Sequence, residues 1–459
     1  MTGPDALARA LEPLGDVVVS TDPDVTAGYA ADQSRLTERH VPLAVLAPRT
    51  TDEVAACLRL ATTHGWTVVP RGAGSGLSGG ANGGAGAVVL STHRMTSVLQ
   101  VDPVERLAVV QPGVVTGDLR AAAAEQGLFY PPDPGSVGFS TIGGNVATNA
   151  GGMCCVKYGV TGDAVLGLEV VLADGRVLRT GRRTAKGVAG YDLTHLFVGS
   201  EGTLGVITEV TVRLRPAPEP ALTLVATFPT LAAAGRAVAD VAADGTVVSA
   251  LEIMDRTTLA AVDDLTRMGL GDAAAMLLVQ SDTADAASVL AAVATRCEQA
   301  GATDVAVADD PEEGAQLMEA RRQALPALER LGDWLLDDVC VPRSRIVDLV
   351  QRIEQVAADE GLTIGVFGHA GDGNMHPTII FDEADEASRA AARRAFDAIT
   401  RHALDLGGTI TGEHGVGRLK RDWLTAELDP VALDVHRAVR AALDPAGRLN
   451  PGAVLDPEA

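Results

Sequence analysis

The chain has 459 residues, a net charge of −23, 47% apolar residues and only 3% aromatics. Such a length fills two or three cores of ordinary size, and the apolar fraction makes the protein globular. The charge argues against nucleic acid or an anionic membrane surface as a main partner, and an anionic substrate would have to meet local positive charge.

Met1 to Asp16 lacks a basic region followed by an apolar run, and no stretch approaches the length of a membrane span. The five cysteines, two of them adjacent at Cys154 and Cys155, form neither a disulfide framework nor an iron–sulfur ligand series. A cytoplasmic location is expected, with loose membrane association left open.

Leu7 to Leu14 reads as a short amphipathic helix, Leu43 to Ala47 as a strand, and Thr51 to about His64 as a helix. Thr67 to Pro70 and Ala87 to Leu90 read as strands. Between them Arg71 to Gly86 holds eight glycines and cannot be regular structure. Further strands are expected at Leu107 to Val110 and at Val165 to Leu172, with a turn at Asp174-Gly175 into Val177-Leu178. A second glycine-rich stretch, Gly143 to Gly152, sits between them. Pro216 to Pro220 is a stiff connector and marks a domain boundary. Beyond it the pattern runs strand (Ala221 to Phe228), helix (Ala232 to Ala243), strand (Val247 to Met254), strand (Ala274 to Val279), helix (Ala284 to Ala300). That order implies a layered α/β domain with helices on one face of a sheet. Helices follow at Glu312 to Leu331, Ile346 to Glu360, Asp382 to Gly407 and Trp423 to Ala442.

Chemistry concentrates near the C-terminus. The chain has nine histidines, and three fall in Gly368-His369-Ala370-Gly371-Asp372-Gly373-Asn374-Met375-His376 and Gly412-Glu413-His414-Gly415. Two imidazoles and a carboxylate form a common ligand set for a divalent metal. His369 and His376 are seven residues apart, a spacing that fits neither one helix face nor a strand ladder. Gly371 and Gly373 allow a sharp return that would bring both to one ion. Asp372 could be a ligand or could fix a ring tautomer. Glu413 adds an anionic oxygen, positions stay open for substrate or water, and His414 is free to move protons.

The glycine-rich segments imply a phosphate-bearing cofactor. Pro70-Arg71-Gly72-Ala73-Gly74-Ser75-Gly76-Leu77-Ser78-Gly79-Gly80 offers successive backbone N–H groups as a nest for a diphosphate. It is neither a Walker loop nor the usual dinucleotide fingerprint. Pro131-Pro132-Asp133-Pro134-Gly135-Ser136 leads into Thr141 to Gly152, and a third element runs from Gly199 to Thr208.

These three elements resemble the FAD-binding domain of vanillyl-alcohol-oxidase type flavoproteins. With Gly190-Tyr191-Asp192-Leu193, Asp338 to Pro342 and the two C-terminal motifs, residues 40 to 455 resemble the FAD-linked D-2-hydroxyacid dehydrogenases. That branch includes D-lactate dehydrogenase and the flavin subunit of glycolate oxidase. The resemblance implies an α+β chain with a two-part FAD-binding domain at 1–217, an α/β substrate (cap) domain at 218–408 and a returning C-terminal segment at 409–459. The loop Arg71, Gly72, Ala73, Gly74, Ser75, Gly76, Leu77, Ser78, Gly79 would wrap the diphosphate. Pro134, Gly135, Ser136, Thr141, Gly144, Asn145, Thr148 and Asn149 would line the flavin and diphosphate, with Gly151 nearby. Gly205 and Ile207 would reach the adenine or ribose, and Asn450 would close the site. The first loop holds no histidine, so FAD is expected to be noncovalent.

The resemblance further implies that His369, His376 and Glu413 bind a divalent metal, Zn or Mn. It makes His414 the general base, has Asn374 face the substrate, and assigns the substrate carboxylate to Arg322, with Arg321 as its neighbour on another helix face. The expected reaction oxidises a D-2-hydroxyacid to the 2-oxoacid, with hydride passing to flavin. Electrons would leave to a quinone, a cytochrome, an electron-transferring flavoprotein or an iron–sulfur subunit. Relatives acting on 2-hydroxyglutarate carry a lysine two residues before the position of Asp338. Leu336 stands there and favours lactate, glycolate or a more apolar acid. The alternatives are a flavin subunit active only inside a multi-subunit glycolate oxidase, a 2-hydroxyglutarate dehydrogenase, an ether-lipid enzyme on a related flavin domain, or a flavin store that leaves His414 idle. A homodimer is left open, and nucleic acid is not an expected partner.

Overall fold

The computed structural model describes residues 4–270 and 273–455. The chain forms two compact units. The first contains residues 1–150, 160–217 and 413–459, and the second contains 151–159 and 218–412. The proline-rich connector carries the 217/218 boundary. Two divisions differ from the sequence expectation: the return begins at Glu413 rather than at residue 409, and the short segment 151–159 belongs to the second unit.

In the first unit, strands Val18–Ser20, Ala44–Leu46, Ala87–Ser91 and Thr67–Arg71 lie in that order in one sheet. Thr67–Arg71 and Ala87–Ser91 are parallel neighbours. Parallel neighbours need a crossover, normally a helix; here residues 72–86 supply it as an irregular glycine-rich loop. Helix Thr51–His64 covers the sheet. Thr50 caps it by accepting from the Glu53 N–H at 3.2 Å, Gly65 ends it in the left-handed region, and Val54, Leu58 and Ala61 are its buried stripe. A second, antiparallel sheet runs Val98–Asp102, Leu107–Val110, Val206–Arg213, Val165–Val171, Val177–Gly181. The second glycine-rich stretch overlaps helix Ile142–Thr148. Thr141 is its N-cap, and Asn149 ends it at φ 55°. Ile142 and Val146 anchor this helix in the apolar core under the second sheet, which outweighs its two glycines.

The second unit is built on an eight-stranded sheet. Its order is Asp304–Val307, Leu222–Phe228, Ala275–Ser281, Ala250–Asp255, Thr363–His369, Asn374–Phe381, Asp333–Leu336, and Val339–Cys340 also pairs with Asn374–Phe381. Several elements depart from the sequence pattern. Helix Arg256–Thr266 intervenes between two strands expected to be consecutive; Asp255 caps it by accepting from the Thr258 N–H at 2.8 Å. The expected helix from Glu312 to Leu331 is two helices, Pro311–Arg322 and Ala324–Glu329. Pro326 has no N–H to offer the Arg322 carbonyl and its ring crowds that oxygen, so the first helix stops there. Pro430 likewise divides the last helix, in the first unit, into Arg421–Glu427 and Pro430–Leu443.

Helices pack on both faces of the large sheet, not one. On the face shared by Phe367 and His369, a Cβ on Gly365 would meet Leu328 at 2.7 Å and Thr258 at 3.1 Å. On the opposite face Thr400, in helix Glu386–Asp405, donates to Asp337 at 3.1 Å. No helix among the described residues is long and apolar enough to cross a membrane.

Candidate active site

Thr363–His369 and Asn374–Phe381 form a hairpin whose register pairs His369 with Asn374 and Phe367 with His376. His369 and His376 are therefore diagonal neighbours on one face of a strand ladder, with ring centroids 5.1 Å apart. The seven-residue spacing does fit a ladder, because a tight four-residue turn returns the chain and offsets the partners by two. Gly373 makes that turn at φ 91°, and a Cβ there would lie 2.1 Å from the Val341 carbonyl.

The strands on either side add carboxylates to the same face. Glu252 pairs with His369 across the next ladder, and His369 Nδ1 lies 2.8 Å from Glu252 Oε1. Glu252 also meets Arg321 Nη2 at 2.7 Å, and Arg321 stacks over the Phe367 ring at 4.8 Å. Burial alone would raise the Glu252 carboxyl; the charges of His369 and Arg321 outweigh it and hold it below its ordinary value. On the other side Asp338 Oδ1 lies 3.6 Å from His376 Nδ1. Its second oxygen accepts from Thr411 Oγ1 at 2.7 Å and from the Gly412 N–H at 2.9 Å. Each imidazole thus has one ring nitrogen turned toward a buried carboxylate, which orients the ring. Between them Asn374 is buried, and its Oδ1 has no hydrogen-bond partner among the described residues. Gly412 is needed beside it, since a Cβ would sit 2.4 Å from the Asn374 side chain.

Sequence reasoning passed over Glu252 and singled out Arg322 rather than its neighbour Arg321. Arg322 is partly exposed and reaches only Glu319, at 3.5 Å. Arg321 is buried on the imidazole face. Successive helix residues point about 100° apart, so only one of the two can face the sheet. The available signal for Glu252 was an acid flanked by apolar Leu251 and Ile253 within the strand Ala250–Asp255.

In the first unit the three glycine-rich elements and the C-terminal segment converge. A Cβ on Gly72 would lie 2.4 Å from Thr141 Oγ1 and 3.6 Å from Gly144 Cα, so the first two loops meet backbone to backbone. Arg71 turns inward: it donates to the Ala81 and Ala31 carbonyls at 3.0 and 2.9 Å and braces the loop. Gly74, at φ 72°, is required by that guanidinium. The N–H groups from Ala73 to Gly80 donate to no backbone acceptor among the described residues. Thr141 accepts from the Gly144 N–H at 3.3 Å, Thr148 donates to the Gly144 carbonyl at 3.2 Å, and Asn145 donates to Thr116 at 2.8 Å. Asn149 accepts from the Gly162 N–H at 2.8 Å. Pro134 and Ser136 accept backbone bonds within the loop 134–140, and Gly135 has open space beside it. Gly205 and Ile207 pack into the core, a Gly205 Cβ falling 2.4 Å from Val170. Gly151 lies in the segment assigned to the second unit.

Glu201 ties the third element to the tail. Its carboxylate accepts from the Val416 N–H at 2.7 Å and the Gly417 N–H at 2.9 Å, and Asn450 donates to its carbonyl at 2.7 Å. Burial pushes this carboxyl up to about 7, with the Gly417 and Val416 N–H groups pulling the other way. In the same unit His414 Nε2 lies 3.8 Å from Glu413 Oε1.

A run of uncommitted N–H groups, held open by glycines whose Cβ positions are already filled, fits the diphosphate of a dinucleotide cofactor. Residues 42–181 match the FAD binding domain family, and residues 217–454 match the C-terminal domain of FAD linked oxidases. The chain belongs to the FAD-linked oxidase family and is an FAD-dependent oxidoreductase. Its relatives include the glycolate oxidase subunit GlcD of Bacillus subtilis, 44% identical over 423 residues, with 91% of this chain and 90% of the relative covered. It is also similar to the D-lactate dehydrogenase of Archaeoglobus fulgidus, 38% identical over 413 residues, covering 90% and 91%. The fold is of the vanillyl-alcohol-oxidase type: p-cresol methylhydroxylase superposes with a TM-score of 0.83 at 18% identity, over 99% of this chain and 98% of that one.

Proposed function

We propose that this enzyme oxidises a small D-2-hydroxyacid, glycolate or D-lactate, to the 2-oxoacid. The names of the relatives support the substrate class. The observation that carries the chemistry is the shared face of His369, Asn374 and His376, with a buried carboxylate beside each ring.

His369, His376 and Glu413, the residue bonded to Gly412, would hold a divalent cation, zinc or manganese, whose Lewis acidity would ease loss of the hydroxyl proton. The unpartnered Oδ1 of Asn374 and the oriented imidazoles fit such a donor set. His414 accepts the hydroxyl proton, which needs a neutral ring at working pH. FAD, when bound, supplies the acceptor for the C2 hydride. The substrate thus gives up one proton and one hydride, its C–O bond becomes a carbonyl, and the two electrons pass on to an external acceptor. Asn374 orients the substrate. Arg321, rather than Arg322, offers a substrate carboxylate a guanidinium on the imidazole face, where it also meets Glu252. Leu336 lies two residues before Asp338 on the same strand face and is buried, which favours a short acid over a dicarboxylate.

Anaerobic stopped-flow mixing with D- and L-lactate, glycolate and D-2-hydroxyglutarate tests this. Rapid flavin bleaching is expected with D-lactate or glycolate; bleaching only by the L-acid or the dicarboxylate would overturn the assignment. His369→Ala is expected to lose bound metal while keeping flavin, and metal content equal to wild type would remove the ligand set. A second reading, a flavin subunit active only in a larger oxidase, draws on the relative named as a subunit. Turnover of the isolated chain with an artificial dye would exclude it.

A further inference from the structure

We infer that Glu201 is a positioning residue, locking the segment Glu413 to Gly417 onto the first glycine-rich loop and so setting where His414 stands. The inference rests on the reading of His414 as proton acceptor.

The observations are backbone strain, burial and a closed set of hydrogen bonds, all in one unit. Glu201 and Asn450 both adopt positive φ, 48° and 41°, and Asn450 Nδ2 joins them by donating to the Glu201 carbonyl at 2.7 Å. The same amide donates to the Gly80 carbonyl at 2.7 Å. Two non-glycine residues held in the left-handed region, each at some energetic cost, mark a site where the surroundings dictate the backbone. The strain delivers a buried carboxylate to the Val416 and Gly417 N–H groups. Two glycines make room for it and a third for the Ser78 carbonyl. A Cβ on Gly80 would fall 2.6 Å from Glu201 Oε2 and one on Gly415 would fall 2.8 Å from Oε1; Gly417, at φ 53°, would strike the Ser78 carbonyl at 2.0 Å. Ser78 completes the lock: its hydroxyl faces the His414 and Gly415 carbonyls at 3.2 and 2.9 Å, and its carbonyl accepts from Arg418 and Leu419 at 2.8 and 3.0 Å. The glycines of Glu413-His414-Gly415-Val416-Gly417 are therefore explained by Glu201 and Ser78. The loop that offers N–H groups to the cofactor and the loop that carries His414 are held as one piece.

Glu201→Gln tests the lock, because a carboxamide keeps one acceptor and turns an N–H₂ toward the Gly417 N–H. Gly80→Ala tests it independently by pushing an unaltered carboxylate aside. Both are measured on the flavoprotein beside His414→Ala. The expected result is amide exchange about tenfold faster at Val416 and Gly417, the loss of roughly one hydrogen bond. The limiting rate of flavin reduction by D-lactate or glycolate is expected to fall up to ~100-fold per bound flavin, as for a misplaced catalytic group, with little change in half-saturating concentration. Unchanged exchange in both variants would overturn the lock. Faster exchange with an unchanged rate per bound flavin would also overturn it, reducing Glu201 to a scaffold residue. Should His414→Ala itself reduce flavin at full speed, the proton-acceptor reading fails, and the exchange data alone judge the lock.

Discussion

Glu252 holds two partners, the His369 ring and the Arg321 guanidinium, at 2.8 and 2.7 Å in a fully buried position. Removing its charge leaves the Arg321 guanidinium buried without a counterion, a far larger cost than the pair's own net worth. Glu252→Gln is expected to lower the unfolding free energy by about 3 kcal/mol, read by urea denaturation; a change under about 1 kcal/mol would mean the guanidinium finds water. The sequence made the histidines and Asn374 visible because they crowd one short glycine-flanked segment. It could not show Glu252, 117 residues before His369, because only strand pairing brings the two together. The choice between Arg321 and Arg322 was equally out of reach, since it turns on the rotation of one helix.

At the scale of elements, the glycine-rich loops were legible as backbone that must approach something closely, but their mutual contact was not. Gly72→Ala would drive a methyl into Thr141 and prise the first loop from the helix Ile142–Thr148. A fold close to wild type by circular dichroism with FAD affinity down at least tenfold is expected, in line with ~1.4 kcal/mol or more of lost fit; wild-type flavin content after gel filtration would contradict it. Helix Arg256–Thr266 was not expected, although Leu259, Val262 and Leu265 stand at helical spacing among Thr, Ala and Asp. It is held by the Asp255 cap and by buried Leu259 and Val262. Burial raises the Asp255 carboxyl from its ordinary 3.8 to about 6, against the Thr258 bonds that lower it. The folded state therefore keeps this proton longer than the unfolded chain does. The stability it contributes is complete below pH 3.8 and is lost as pH rises through about 6, on the order of 2–3 kcal/mol. Asp255→Asn keeps a capping oxygen but cannot titrate. Its melting temperature should decline less than wild type's between about pH 4 and 6; parallel declines would clear Asp255 of the effect.

At the scale of the whole molecule, the first unit is built on two main sheets and the second on one, and the second begins where the prolines stiffen the chain. Composition foresaw that boundary; the return of the C-terminal segment to the first unit was expected from the family resemblance alone, since no local signal encodes it. The first glycine-rich loop, Arg71 to Gly80, contains no histidine, so acid precipitation should leave the protein colourless and the flavin in solution. Yellow precipitate would mean a covalent link elsewhere. By itself the sequence determined the residue types: glycines where backbone must come close, histidines and a carboxylate where a cation or a proton is handled, prolines where helices end. Those are local properties, dictated by φ, by missing N–H groups and by ionisable atoms. Only the tertiary structure decided which of them share a face and what stands behind them. Glu252 behind His369, Asp338 behind His376 and Glu201 behind the His414 loop are pairings made by strand register and chain return, and separations of 38 to more than 200 residues leave no periodic trace in a sequence.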